Sequence, residues 1–351
     1  MPNYGVIDLG SNSIRLVIYE VKDDRKRIYT NHDFRSLLND KVMAGLSAYV
    51  QNGVFTQAGV ARAASVLKGH AKRSKYFQCK RIDVFATAVL RNCENSAEAI
   101  SAVEEACAMR INLLSARDEA HLGFRGATCD REIERGTLMD IGGGSTELTR
   151  IENGTDSHDT SIPQGSLSSY ARFVKCVFPT REEADFIAGA FRAAVAALPD
   201  SESFRTERFY GVGGSVRAAA KMLAAANGAL GGEADAAENA GRRTNLAALG
   251  GGTNSDRAGG NKPSDFSAPS NGAGERPKEI SPQTLAALII LLHRDPQAFS
   301  HLAAKAVPER IHTLVPGCVI AQAALAELGA KTLEICKYGV REGYLIERML
   351  Q

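Results

Sequence analysis

Thr137-Leu138-Met139-Asp140-Ile141-Gly142-Gly143-Gly144-Ser145-Thr146-Glu147-Leu148 repeats, 132 residues later, the pattern of Gly5-Val6-Ile7-Asp8-Leu9-Gly10-Ser11-Asn12-Ser13-Ile14-Arg15-Leu16. Asp140 falls on Asp8, Gly142 on Gly10, Ser145 on Ser13 and Leu148 on Leu16. Each copy is an apolar run, a turn rich in Gly and Ser, and a second apolar run, the pattern of strand, turn and strand. One D-x-G-x-x-S alone reads equally well as an ordinary hairpin turn. Two copies in the same strand context indicate an internal duplication. Glycine in such a turn lets backbone N–H groups approach a phosphate with no Cβ in the way. An Asp at the strand end is placed to hold Mg²⁺ directly or through water. The simplest architecture is two similar α/β lobes with their turns facing across a cleft.

Working outward, residues 56–77 carry Val60, Ala64 and Leu67 at helical spacing. Ile82–Ala86 reads as a buried parallel strand, and Asn95–Met109 as a helix. Ser115 is placed to cap a further helix bearing Ala120, Leu122 and Phe124. A third Gly-rich turn, Gly211-Val212-Gly213-Gly214-Ser215, follows Phe209-Tyr210 and opens a helical stretch over Val216–Ala226. It is either a close approach to a phosphate or nucleotide or a plain strand-to-helix turn. Residues 227–277 hold 11 of the 33 Gly with many Ala, Asn and Ser; such a composition buries too little apolar surface to offset its ordering entropy. They read as a disordered insertion. Beyond them Leu285–His293 and Ile311–Leu328 read as helices, Thr332–Cys336 as a strand and Arg341–Leu350 as a terminal helix.

Composition excludes several classes. The 351 residues are 44% hydrophobic, which supports a sizeable core. Lys and Arg number 42 against 40 Asp and Glu, a net charge of +2 that argues against a general nucleic-acid binder. The longest apolar run, Leu285–Leu292, is eight residues, far short of the about 20 a membrane span needs. No signal peptide is visible at the start. The seven Cys never fall as C-x-x-C, which suggests reduced thiols. The expectation is a soluble, cytoplasmic protein. The His show no metal-ligand spacing. No G-x-x-x-x-G-K-[ST] or G-x-S-x-G occurs either.

Two further residues are candidates. Glu119, at the start of a helix 21 residues before Asp140, either orients and activates water or is a helix-start charge favoured by the dipole. Arg91, in the turn after Thr87-Ala88-Val89-Leu90, either binds phosphate oxygens bidentately or is a surface Arg. The basic run Lys68, His70, Lys72, Arg73 and Lys75 is a solvated helix end or a polyanion patch.

YGVIDLGSNSIRLVIYEV, ATAVLRNCENS, LSARDEAHLGFRGA, TLMDIGGGSTEL, IPQGS, YGVGGSVRAAAKM and YGVREGYL stand in this chain in the order and spacing of the exopolyphosphatase / guanosine pentaphosphate phosphohydrolase family, which the chain therefore resembles. The resemblance implies two ribonuclease-H-like lobes of the actin-like ATPase kind with an active site between them. The first would be residues 1–124 and the second 125–351, interrupted by the insertion, with a C-terminal helix at 341–351 packing back on the first lobe. It implies that Glu119 activates the attacking water. Asp140 would work with the metal and the water, and Asp8 would stand near the metal. Asn12 and Ser13 would form one phosphate loop, Gly143, Gly144 and Ser145 the other, and Arg91 would grip the terminal phosphate. The cofactor implied is Mg²⁺. Ser168 replaces an Arg usual after I-P-Q-G, and His312 an Asp common after the Arg of the penultimate helix.

The function expected is removal of terminal orthophosphate from inorganic polyphosphate. Guanosine pentaphosphate, a nucleotide of the stringent response, is the alternative substrate. A kinase of the same superfamily and a non-catalytic polyphosphate or alarmone sensor are the other readings. Neither a nucleic-acid nor a membrane partner is expected; a homodimer is in keeping with the family.

Overall fold

A computed structural model describes residues 1–226 and 277–351. The insertion read over 227–277 lies, all but its last residue, outside the described residues.

The first sheet has five strands. β1 (Asn3–Leu9) pairs antiparallel with β2 (Ser13–Val21), which pairs antiparallel with β3 (Phe34–Met43). Two short strands, β4 (Val50–Gln51) and β5 (Val54–Phe55), form a separate ribbon. The chain continues through α1 (Gln57–Tyr76) into β6 (Cys79–Ala86), parallel to β1. After α2 (Ala88–Arg91) and α3 (Ser96–Cys107), β7 (Ile111–Leu113) joins parallel to β6. The order is β3-β2-β1-β6-β7.

The second sheet repeats this plan. β8 (Arg135–Ile141), β9 (Thr146–Glu152) and β10 (Thr155–Ile162) form an antiparallel meander. After α5 (Ser166–Phe173) and α6 (Arg181–Ala196), β11 (Arg208–Val212) pairs parallel with β8 and leads into α7 (213–226). The short edge strand β12 (Glu279–Ile280) is followed by α8 (Pro282–Arg294), α9 (Pro296–Ala306), α10 (Ile311–Glu327) and β13 (Thr332–Ile335). The order is β10-β9-β8-β11-β13-β12. Apart from β12 it matches the first sheet strand for strand, as expected of ribonuclease-H-like lobes.

The period of two along a strand puts alternate residues on opposite sheet faces. Ile7 and Leu9 therefore enter a core closed by α1 and α3, whereas Tyr4 and Val6 enter one closed by α4 (Ala116–Ala127) and the C-terminus. In the second lobe Met139 and Ile141 face α6, α8 and α10, while Leu138 faces the other side. Helix α4 lies between the sheets: Leu122 joins the core of the first, and Phe124 and Ala127 that of the second. Ser115 caps α4, its Oγ accepting from the Asp118 N–H at 3.0 Å.

The chain ends by returning to the first lobe. The terminal stretch read as one helix is α11 (Val340–Tyr344) followed by a wider, π-type turn over Leu345–Met349. Tyr344, Leu345, Ile346, Met349 and Leu350 share a core with Tyr4, Val17, Tyr19 and Phe85. Helices α4 and α11 cross at backbone contact. A Cβ on Gly126 would stand 1.9 Å from the Gly339 carbonyl oxygen, and one on Gly343 would stand 1.9 Å from that of Leu122. The basic run of α1 is not a uniform patch. His70 is fully buried with Nε2 against the Ile14 carbonyl at 3.4 Å, and Arg73 pairs with Asp40 at 3.0 Å.

Candidate active site

The duplicated turns close in the same way. The Gly10 N–H donates to the Ser13 carbonyl at 3.1 Å, and the Gly142 N–H to the Ser145 carbonyl at 2.9 Å. Both face a cavity of about 140 Å³ between the sheets. Asp8, Asn12 and Ser13 line it from the first lobe, Asp140, Gly143, Gly144 and Ser145 from the second, and Glu119 from the first turn of α4. The third Gly-rich turn also reaches it. Gly213 has φ +83°, and a Cβ there would sit 2.0 Å from Asp140 Oδ1, so only glycine lets this turn lie against the carboxylate.

Arg91 stands elsewhere than expected. Its guanidinium does not line the cavity. Nη1 donates to the Leu114 carbonyl at 3.1 Å and to Glu119 Oε2 at 2.7 Å, and Nη2 lies 3.8 Å from Glu147 Oε1. Ser145 differs too: its hydroxyl donates to Glu147 Oε1 at 2.6 Å, so its side-chain proton is already used. Ser168 is a helix-start residue, its Oγ accepting from the Gly165 N–H at 2.9 Å.

Glu147 went unread in the sequence. It lies opposite Asp140 in the β8–β9 register, the place Arg15 takes opposite Asp8 in the first lobe. Within the duplicated pattern Glu147 falls on Arg15, and that reversal of charge was the available signal. Its Oε1 also accepts from Ser161 at 2.9 Å. Burial and the charge of Asp140 push its carboxyl up to about 7. Glu119 is held well above the usual carboxylate range by burial and by Glu147, with Arg91 opposing. Asp140 is also raised, by burial and by Asp8. A carboxyl poised in this way is suited to move a proton near neutral pH.

The cavity's cations were missed as well. Arg15, Arg217, Arg310 and Arg341 all line it. Three of them sat in the family-like motifs, Arg15 in YGVIDLGSNSIR, Arg217 in YGVGGSVR and Arg341 in YGVREG, with nothing in the letters to say that they point inward. Arg341 donates to Asp8 Oδ2 at 2.9 Å. Burial works against its charge, but Glu342 and Asp8 outweigh it and raise it. Arg15 is pushed down to about 10 by burial and by Arg341. Lys41 is pushed down to about 8 by burial, Arg310 and Arg15, and its buried Nζ has no hydrogen-bond partner among the described residues. Cations crowded until they depress one another form a site for a multiply charged anion.

Among the described residues no three His, Cys, Asp or Glu have the geometry to hold a metal by themselves. Asp8 and Asp140 supply two hard oxygen donors on the same cavity. Mg²⁺ is commonly held by one or two carboxylates plus substrate phosphates and water, so the donor set fits that ion once a phosphate is present.

Two lobes of one topology, with twin glycine turns and a shared acidic and basic cavity, have the plan of the actin-like ATPase fold. The chain belongs to the Ppx/GppA phosphatase family, whose model matches residues 17–351. It is 34% identical over 149 residues to a bifunctional 3-dehydroquinate synthase/phosphatase of Fusobacterium nucleatum, covering 41% of this chain and 22% of that protein. It is 26% identical over 226 residues to a guanosine-5'-triphosphate,3'-diphosphate pyrophosphatase of Photobacterium profundum, covering 64% of this chain and 44% of that protein. Its fold is similar to the crystal structure of an exopolyphosphatase from Cytophaga hutchinsonii, with a TM-score of 0.70, 18% identity, and 99% and 97% of the two chains covered. The matches span half or less of the length of the first curated relatives. Among the described residues no helix is long and apolar enough to cross a membrane.

Proposed function

We propose that the protein is an Mg²⁺-dependent phosphohydrolase that removes the terminal orthophosphate of inorganic polyphosphate. The observation that carries the reading is the convergence of Asp8, Glu119 and Asp140 with both glycine turns on one cavity whose wall also carries Arg15, Arg217, Arg310 and Arg341. In this reading the terminal phosphoryl group lies among the N–H groups of Gly143 and Gly144 and the hydroxyl of Ser13. Glu119 accepts a proton from the attacking water, which removes a negative charge that burial and Glu147 disfavour. Arg15, Arg217 and Arg310 neutralise the oxygens of the departing chain. Asp8 and Asp140 would hold the ion, which supplies charge neutralisation on the transferred group.

The cavity, about 140 Å³, takes phosphoryl groups, and the remainder of either substrate, polyphosphate chain or guanosine, would lie outside it. The test is phosphate release with Mg²⁺ from short polyphosphate, long polyphosphate, guanosine pentaphosphate and ATP. Release from polyphosphate without any acceptor is expected, with loss of at least about 100-fold in Glu119→Gln, the scale of a general base. Full activity in both Glu119→Gln and Asp140→Asn would refute the site. Tight binding without turnover would favour a sensor.

A further inference from the structure

We propose that Arg91 is a positioning residue for Glu119 rather than a ligand of the terminal phosphate, a role that rests on the reading of Glu119 as the base. Three acceptors hold its guanidinium: the Leu114 carbonyl, Glu119 Oε2 and, more distantly, Glu147 Oε1. Each does a different thing. Leu114 immediately precedes Ser115, the cap of α4, so the contact fixes where the helix begins. The 2.7 Å bond to Glu119, one turn further on, fixes the side chain of that residue against the helix start. Glu147 belongs to the other lobe and is independently held by Ser145 and Ser161. Arg91 therefore stands between two buried carboxylates, one from each side of the cleft.

The location also argues against a phosphate grip. Thr87 and Ala88, from the same segment, reach the cavity wall, and Arg91 does not. Nη1 is spent on Leu114 and Glu119 while Nη2 faces Glu147, which makes Arg91 the cation that sets Glu119 apart from the charges of Glu147 and Asp140 facing it. The cavity meanwhile has Arg15, Arg217, Arg310 and Arg341 on its wall. A guanidinium presents a planar set of five donors, which suits a part that sets the angle of one carboxylate while spacing it from another.

The experiment is a ¹³C NMR titration of protein labelled at the glutamate side-chain carboxyl, with the Glu119 signal identified by its loss in Glu119→Gln. Calorimetry with inorganic phosphate and steady-state kinetics accompany it. In Arg91→Gln the Glu119 signal is expected to titrate about 1 pH unit or more higher, the effect of removing an adjacent opposite charge. Phosphate affinity is expected to stay within about threefold, short of the roughly tenfold or more that a lost charged hydrogen bond brings. kcat should fall with KM little changed. Arg91→Lys keeps the charge and loses the fork, so kcat falls while the titration moves back toward that of the wild type; this variant carries the test if Arg91→Gln does not fold. A tenfold loss of phosphate affinity in either variant, or an unmoved Glu119 titration in Arg91→Gln, overturns the proposal. Absence of hydrolysis by the wild type would count against the enzyme reading alone, because titration and phosphate binding judge Arg91 without turnover.

Discussion

Glu147 is the residue whose replacement is most informative about the site's charge balance. Its carboxylate raises Glu119, so Glu147→Gln, which keeps an oxygen for Ser145 and Ser161, lowers the titration of Glu119. The base is then ionised at lower pH, and the acid limb of the kcat profile moves down. An unmoved limb would separate the two groups. Arg310 acts on binding. One charged hydrogen bond is worth about 1.5–3 kcal/mol, so Arg310→Gln is expected to raise KM for polyphosphate by roughly 10- to 100-fold and to weaken its salt dependence. At this scale the sequence was legible where a motif fixed both residue and backbone, as at Asp8, Asp140 and the glycines. It was not legible where function depends on direction. Nothing in the letters around Arg91 says that its guanidinium turns to Glu119, or that the Ser145 hydroxyl turns to Glu147.

Among elements, the crossing of α4 and α11 is the least tolerant contact. Gly126→Ala would drive a methyl group against the Gly339 carbonyl at 1.9 Å, and overpacking of this kind costs about 1–3 kcal/mol. A drop of that size in urea unfolding is expected, together with reduced turnover because α4 carries Glu119. Stability equal to the wild type would show that the crossing relaxes freely. Two of the elements missed in the sequence have a common cause. β3 exposes much of its length, and β10 (TDSHDTSI) buries only its last residue fully. Each is a polar edge strand recruited by pairing with β2 or β9, with no apolar alternation of its own to announce it. β1, β6, β8 and α10 were legible because they are buried and their composition shows it.

For the whole molecule, the joints between chain segments set pH dependence and integrity. His121 on α4 bonds Asp156 of β10 at 2.6 Å and Glu347 of the terminal turn at 2.9 Å. Burial lowers its pKa, but Asp156 and Glu347 outweigh this and leave it raised. Its contribution is therefore fully present below about pH 6.5, the unfolded value. It is lost as pH rises through the higher folded value. Urea midpoints measured from pH 6 upward should fall in the wild type and less so in His121→Asn; parallel curves would remove His121 from the account. Deleting residues 340–351 strips Tyr344, Leu345, Ile346, Met349 and Leu350 from one core. Large side chains removed from a core cost about 2–5 kcal/mol each, so five of them exceed the 5–15 kcal/mol that holds a typical domain together. Loss of cooperative unfolding is expected, and a retained sharp transition would contradict it. The sequence disclosed the duplication that makes two lobes, but not that Leu122 and Phe124, two residues apart on α4, serve different sheets.

The return of the terminal segment has a further consequence for how the protein is made. Synthesis runs from the amino end, and domains ordinarily fold in that order as they emerge. Here Tyr4, Val6, Val17 and Tyr19 leave the ribosome well before residues 344–350, which complete the core they share with Leu122 of α4. Of the two lobes the one translated earlier is thus completed later, and part of that core stays uncovered until residues 344–350 have been made.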